Sequence, residues 1–346
     1  MNKSPAIKIL AAIIIVCIIG SCRQHTRHVE PAFYYWKSQF QLSGFERLRL
    51  DSLQVSTLYV KLFDVVWDEL AQRASPVAKL VVRDTGLLKN INIIPTVFIT
   101  NEVFYKLDST AIRVLARNVT SLIKKYQQLY RLTTFKEVQM DCDWTTTTRR
   151  KYFYFLEEIK REYSEPELSA TIRLHQVKYT GSAGIPPVQK GLLMCYNMGT
   201  LQQSDAVNSI ISVKEFQQYA GAIDTYPLPL DIGLPLFDWY VLFRDNKYAG
   251  LFMSIKPSLL SRFRQTDKNL FEVIEDTLVD GRRLKVGDRL RYENSNIETV
   301  QAVASLLNKK LKASRLRVVL YHCDSVTLSK YPSHELESIY RSMQHY

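Results

Sequence analysis

Glycine and proline are scarce, 12 of each in 346 residues. That leaves no room for a long low-complexity linker, and no internal repeat is found. No glycine-rich turn follows the first convincing strand, so a phosphate-cradling nucleotide site has no support. No H-x-H or H-E-x-x-H spacing occurs, which removes the usual zinc patterns. Lysine and arginine are scattered without a recognition motif, so nucleic acid is not expected as a partner. The longest apolar run falls short of the roughly 20 residues that a membrane-spanning helix needs. Beyond residue 22 only three cysteines remain, Cys142, Cys195 and Cys323, each inside an apolar β-like run. An odd count argues against a disulfide framework and for buried apolar side chains.

What is present is a chain with 46% hydrophobic and 23% charged residues, enough to bury a large core. The net charge is +12, and removing the first 21 residues with Lys3 and Lys8 leaves +10. Such a surplus suits an anionic surface or polymer. Ile9 to Ile19 has the length of a signal-peptide core behind a short basic region. It closes with Ile19-Gly20-Ser21-Cys22, which resembles the bacterial lipobox. That resemblance implies cleavage after residue 21, acylation (a palmitate-type lipid) at Cys22, and a tether over 22–32. It further implies an envelope protein held to a membrane, the outer more than the inner, on the periplasmic face.

Along the rest of the chain short apolar strands alternate with amphipathic helices. Phe33-Tyr34-Tyr35-Trp36 reads as an apron over the base of the folded part. Eight strands are expected, near 55–63, 77–82, 92–100, 136–143, 168–174, 191–198, 231–237 and 316–321. Several are apolar on both faces, as parallel strands sandwiched between layers are. Asp108-Ser109 reads as the cap of a helix carrying Ile112, Leu115, Val119 and Ile123 at helical spacing. The stretch 244–295 reads as a hairpin-bearing insertion between strands seven and eight, turning at Asp245-Asn246 and Asp280-Gly281. The pattern is that of a (β/α)8 TIM-like barrel over 33–330 with a tail over 331–346. A doubly wound sheet is the alternative.

The most informative stretch is Glu137 to Thr145. Strand parity points Asp141 and Asp143 the same way, with Cα atoms roughly 6.6 Å apart. Burial beside Asp141 and Trp144 would raise the pKa of Asp143 and suit it to act as a general acid, with Asp141 stabilising positive charge. A barrel carries its active site at the carboxyl ends of its strands. Those ends supply Asp64, Glu102, Asp141, Asp143, His175, Asn197, Asp238 and Asp324. Trp67, Trp144 and Trp239 fall just beyond strand ends as well. Acids ringed by indoles suit a sugar, whose C–H faces stack on aromatics while its hydroxyls meet carboxylates. No cofactor and no metal is assigned. A metal-dependent hydrolase using Asp141, Asp143, His175 and His322 is the least supported alternative.

The motif around Asp141 resembles the fourth-strand signature of glycoside hydrolase family 18, D-x-x-D-x-D-x-E. Met194-Cys195-Tyr196-Asn197 resembles that family's M-x-Y-D, and Gly233-Leu234-Pro235-Leu236-Phe237 its G-x-P-x-Y segment. Through Phe33 to Trp36, Phe63-Asp64 and Gln139 to Trp144, the region 33–330 is also similar to a group of bacterial lipoproteins predicted to carry a glycosidase-like barrel. Strand ends and resemblance together lead to the expectation of a carbohydrate-binding mouth in which Trp144, Tyr196, Asn197, Trp67, Asp64, Glu102, Asp238 and Trp239 contact the glycan. It places Thr145 where the family has its catalytic glutamate, Val138 at the first aspartate and Asn197 at the strand-six aspartate. Two readings follow: a glycosidase with relocated acids, or a non-catalytic glycan-binding or assembly lipoprotein. Oligomeric state is left open.

Overall fold

The structure, a computed structural model, describes residues 26–84, 86 and 91–344. Cys22 and the signal-like segment 1–21 lie outside the described residues. Eight parallel strands close into a barrel: β1 (His28–Tyr35), β2 (Thr57–Asp68), β3 (Asn92–Ile99), β4 (Glu137–Asp141), β5 (Glu167–Arg173), β6 (Lys190–Met194), β7 (Leu230–Pro235) and β8 (Arg315–Tyr321). Each pairs with its neighbour in sequence, and β1 closes the ring by pairing with both β8 and β2, Ala32 opposite Val319 and Phe33 opposite Leu58. Closure leaves the wall no free edge.

The helices cover the wall because their apolar residues recur at helical spacing. In α1 (Ser109–Leu129) Asp108 accepts a hydrogen bond from the Ala111 N–H, and Ile112, Leu115, Val119 and Ile123 are buried. In α2 (Arg149–Glu162) Tyr152, Phe155, Leu156 and Ile159 turn inward. A third long helix, α3 (Ile297–Asn308), precedes β8.

Four expectations need correction. Phe33 to Trp36 is no apron, because Phe33, Tyr34 and Tyr35 are buried in β1 and Trp36 follows directly at its end. The run 77–82 is not in the barrel. Arg73–Val77 folds back antiparallel on the end of β2, and Val81–Val82 pairs with Gln39–Phe40. Half-exposed Val77 and Val81 and the N–H-less Pro76 fit an edge rather than a wall. The tether and tail are shorter than expected as well. β1 already begins at His28, and α4 (Ser333–Ser342) buries Leu336, Ile339 and Tyr340, the Tyr340 hydroxyl donating to the Ala32 carbonyl at 3.2 Å.

The insertion lies between β7 and β8 and starts at Asp238, not 244. Its five-stranded antiparallel sheet runs Lys247–Phe252, Asp238–Arg244, Arg289–Asn294, Leu270–Val273, Phe263–Asp267. Leu242, Phe252, Val273, Val279, Leu284 and Leu290 form its own small core. Asp245-Asn246 and Asp280-Gly281 make the turns, all four with positive φ.

At the amino ends of the strands the barrel interior holds a buried charge network. The Arg317 guanidinium reaches Glu137 at 2.8 Å, Glu30 at 3.1 Å and Asp231 at 3.5 Å, and Lys190 meets Asp231 at 2.9 Å. The three free cysteines among the described residues are buried, as expected. No helix of the described residues is long and apolar enough to cross a membrane.

Candidate binding site at the barrel mouth

Strand β4 carries a polar column up the barrel axis. Glu137 meets Arg317 at its base, and Gln139 accepts from the Tyr34 hydroxyl at 2.6 Å in the middle. Asp141 accepts from the Thr171 hydroxyl at 2.6 Å near the top. Every second residue therefore faces the interior, as parity requires. Beyond the strand end Asp143 continues the series.

The two aspartates exchange the environments expected of them. Asp141 is the buried one, 6% exposed. Its pKa is pushed up to about 6, first by burial and then by the charge of Asp143, against the pull of the Thr171 hydrogen bond and of Arg173. Asp143 has a half-exposed side chain gripped by Arg173, with Nε donating at 2.6 Å and Nη2 at 2.8 Å. Such a two-pronged pair is the strongest kind of carboxylate contact.

These groups open into a cavity of about 310 Å³, lined by Asp141, Asp143, Arg173, Asn197 and an apolar wall. Trp36, Trp239, Tyr196 and Tyr321 supply much of that wall. The Tyr196 and Tyr321 rings lie 5.8 Å apart, and burial raises both phenol pKa values, so both hydroxyls stay protonated at neutral pH. Among the described residues neither hydroxyl makes a hydrogen bond, which leaves two donors for a ligand. Gly233 gives the Tyr196 ring its room, since a Cβ there would stand 3.4 Å from Cε1 and 3.0 Å from Leu192. Asn197 takes a left-handed φ of 52°, which asparagine tolerates, and its N–H donates to the Ile210 carbonyl at 2.7 Å.

Of the residues expected at the site, Asp141, Asp143, Tyr196, Asn197 and Trp239 line this cavity; the others do not. Trp144 is 2% exposed, stacked on Tyr152 at 5.3 Å, with Nε1 donating to the Ala183 carbonyl at 2.9 Å. It is a packing residue, because Trp144, like Cys142, points to the face that the helices cover. Trp67 lies on the hairpin beyond the wall, under Lys106. Glu102 is exposed in the short helix Asn101–Lys106, and Asp64 pairs with Lys61 at 2.9 Å. Asp238 pairs with Lys330, accepts from the Tyr292 hydroxyl at 2.7 Å, and lines a neighbouring cavity with His322 and Asp324. Among the described residues no three His, Cys, Asp or Glu side chains gather closely enough to hold a metal. His175 is exposed in the helix Leu174–Lys178.

Three contributors escape the sequence reading, Arg173, Trp36 and Tyr321. Arg173 ends β5 on the same face as Thr171 and so reaches the mouth, whereas the chain turns into a helix at Leu174 and takes His175 off that face. Trp36 needed β1 to be recognised as wall. Thr145 is exposed, and its hydroxyl lies 2.8 Å from that of Thr147, outside the cavity lining.

Fold and mouth together define a (β/α)8 barrel with an aromatic, acid-bearing carboxyl end. The spore cortex-lytic enzyme SleL of Bacillus cereus is similar in structure, with a TM-score of 0.53 and 15% identity over 92% of this chain and 75% of that one. A chitinase of Chromobacterium violaceum is similar with a TM-score of 0.52 and 11% identity, covering 91% of this chain and 97% of its own. At these identities the likeness is one of fold. No family model and no curated protein matches the sequence.

Proposed function

We propose that the barrel mouth binds a glycan. The observation that carries this reading is the convergence of Trp36, Trp239, Tyr196 and Tyr321 with Asp141, Asp143, Arg173 and Asn197 in one cavity of about 310 Å³. Ring faces match the C–H faces of a sugar, and the carboxylates, guanidinium, amide and unpaired phenols match its hydroxyls. The name of the chitinase among the similar barrels supports a polysaccharide as ligand class.

Binding without turnover is the first reading. The position that the family resemblance gives to the proton donor is Thr145, and Asp143 is engaged by Arg173. Hydrolysis is the second, favoured by Asp141, whose buried carboxyl with a pKa pushed up to about 6 could give a proton to a leaving oxygen. A calorimetric panel of chitin oligosaccharides, peptidoglycan fragments and neutral glucans, run with an assay for released reducing ends, separates the two. Binding that Trp239→Ala weakens at least about tenfold, with no released ends, supports the first reading. Release abolished by Asp141→Asn supports the second, and a panel without any binder sinks both.

We also propose that the chain is carried in the bacterial envelope as a lipoprotein acylated at Cys22, on the periplasmic face and more on the outer membrane than the inner. Ile19-Gly20-Ser21-Cys22 supports this. Mass spectrometry of membrane-extracted protein checks it, and a mature N-terminus other than acylated Cys22 contradicts it.

A further inference from the structure

The insertion contains two fully buried ionic side chains, Arg291 and Glu293, neither of which lines the cavity itself. The Glu293 carboxylate accepts four hydrogen bonds. Oε1 takes Arg291 Nε at 2.6 Å, and Oε2 takes the Ser209 N–H at 2.9 Å, the Ser209 hydroxyl at 2.5 Å and the Trp239 indole N–H at 2.7 Å. Arg291 is held in turn by the Gln203 carbonyl and by the Leu201 carbonyl at 3.2 Å. Trp239 and Glu293 are direct cross-strand partners, and Arg291 sits two residues along on the same face.

Burying such a pair costs solvation that a packed apolar pair would keep, so its position calls for a reason beyond stability. The contacts supply one. Ser209 binds Glu293, which binds the indole of Trp239 on one side of the mouth. The next residue, Ile210, accepts from the backbone N–H of Asn197 on the other. The segment 199–212 thus spans two cavity residues, and the carboxylate is where it meets the insertion.

We propose that Glu293 is a positioning residue of the mouth: it fixes the Trp239 indole and, through Ser209 and Ile210, its spacing from Asn197. This rests on the glycan reading for its purpose, though not for its geometry. The indole is thereby aimed before a ligand arrives, which spares the ordering that a free ring would undergo on binding.

The latch is tested first without a ligand, by hydrogen exchange of the tryptophan indole N–H groups. In the wild-type protein the Trp239 N–H should exchange at least about tenfold more slowly than that of Trp36, which has no hydrogen-bond partner among the described residues, as an exposed group would. Equal rates overturn the proposal, even if Glu293→Gln cannot be purified folded. A double-mutant cycle then reads the purpose, using affinity for chitin tetrasaccharide in wild type, Glu293→Gln, Trp239→Phe and the double variant. Phenylalanine keeps the ring face and removes the N–H. Glu293→Gln should weaken binding about tenfold when Trp239 is present and have no further effect in Trp239→Phe. Equal loss in both backgrounds assigns Glu293 a merely structural part and overturns the proposal. A protein that binds no chitin tetrasaccharide speaks against the glycan reading alone, since the exchange rates still decide the latch.

Discussion

Asp141 is where burial and charge work against each other most sharply. Its carboxyl is enclosed, has Thr171 as its hydrogen-bond donor, and lies beside a second aspartate. A folded pKa of about 6 against an ordinary 3.8 means that the folded state keeps a proton that the unfolded state has already released. Stability should therefore fall as pH rises from about 4 to about 6, by about 3 kcal/mol, and level off above that. Urea titrations at several pH values measure this. Asp141→Asn should lose the fall and be the more stable protein at pH 7, because asparagine still accepts from Thr171 without a charge. A variant with the wild-type pH profile would show that another group carries it. Asp143 instead has a half-exposed side chain in the two-pronged grip of Arg173, which arrives from the next strand. Parity along this stretch made the shared direction of the two aspartates legible; Arg173, which grips Asp143, is a long-range contact and was not.

Among the elements, β1 and β4 teach opposite lessons. β4 was readable because alternation survives in a short strand with Glu137, Gln139 and Asp141 on one face. β1 was not, because Ala32 to Tyr35 is buried on both faces and shows no alternation to distinguish a strand from an aromatic cluster. Missing it moved Trp36 away from the mouth, and reading 77–82 as wall restored the count of eight by accident. Trp144 was misplaced for a related reason: its side chain follows the outward parity of Cys142, although the chain position is a strand end. Trp144→Phe should cost about 1–3 kcal/mol in urea unfolding, the cost of leaving the Ala183 carbonyl unpaired, while glycan affinity stays unchanged. Trp36→Ala should instead weaken binding, and it should also lower the unfolding midpoint because the ring packs on Tyr34 and Tyr321.

On the scale of the whole molecule, the barrel is closed by pairings between residues nearly 290 apart, such as His28 with Arg315. Alternation of strands and helices made that architecture legible, and the turn residues at 245–246 and 280–281 marked the insertion. The contents of the barrel interior were not legible, because its charges come from separate strands. Arg317 ties Glu30, Glu137 and Asp231 together. Arg317→Met should leave Glu137 buried without its cation, with Lys190 remaining to Asp231, and destabilise the protein by about 3–5 kcal/mol, read from the urea midpoint. The mouth would bind glycan as before in the folded fraction.

The claim that joins these scales is that the carboxyl end of the barrel is a sugar site. The crystal structure of the protein with the tightest-binding oligosaccharide of the panel tests it most directly. A sugar ring is expected in the mouth against Trp239 or Trp36, with hydroxyls in hydrogen-bond reach of Asp143, Arg173, Asn197 or the Tyr196 and Tyr321 phenols. A saturating sugar bound elsewhere on the molecule, with the mouth filled only by water, would contradict it.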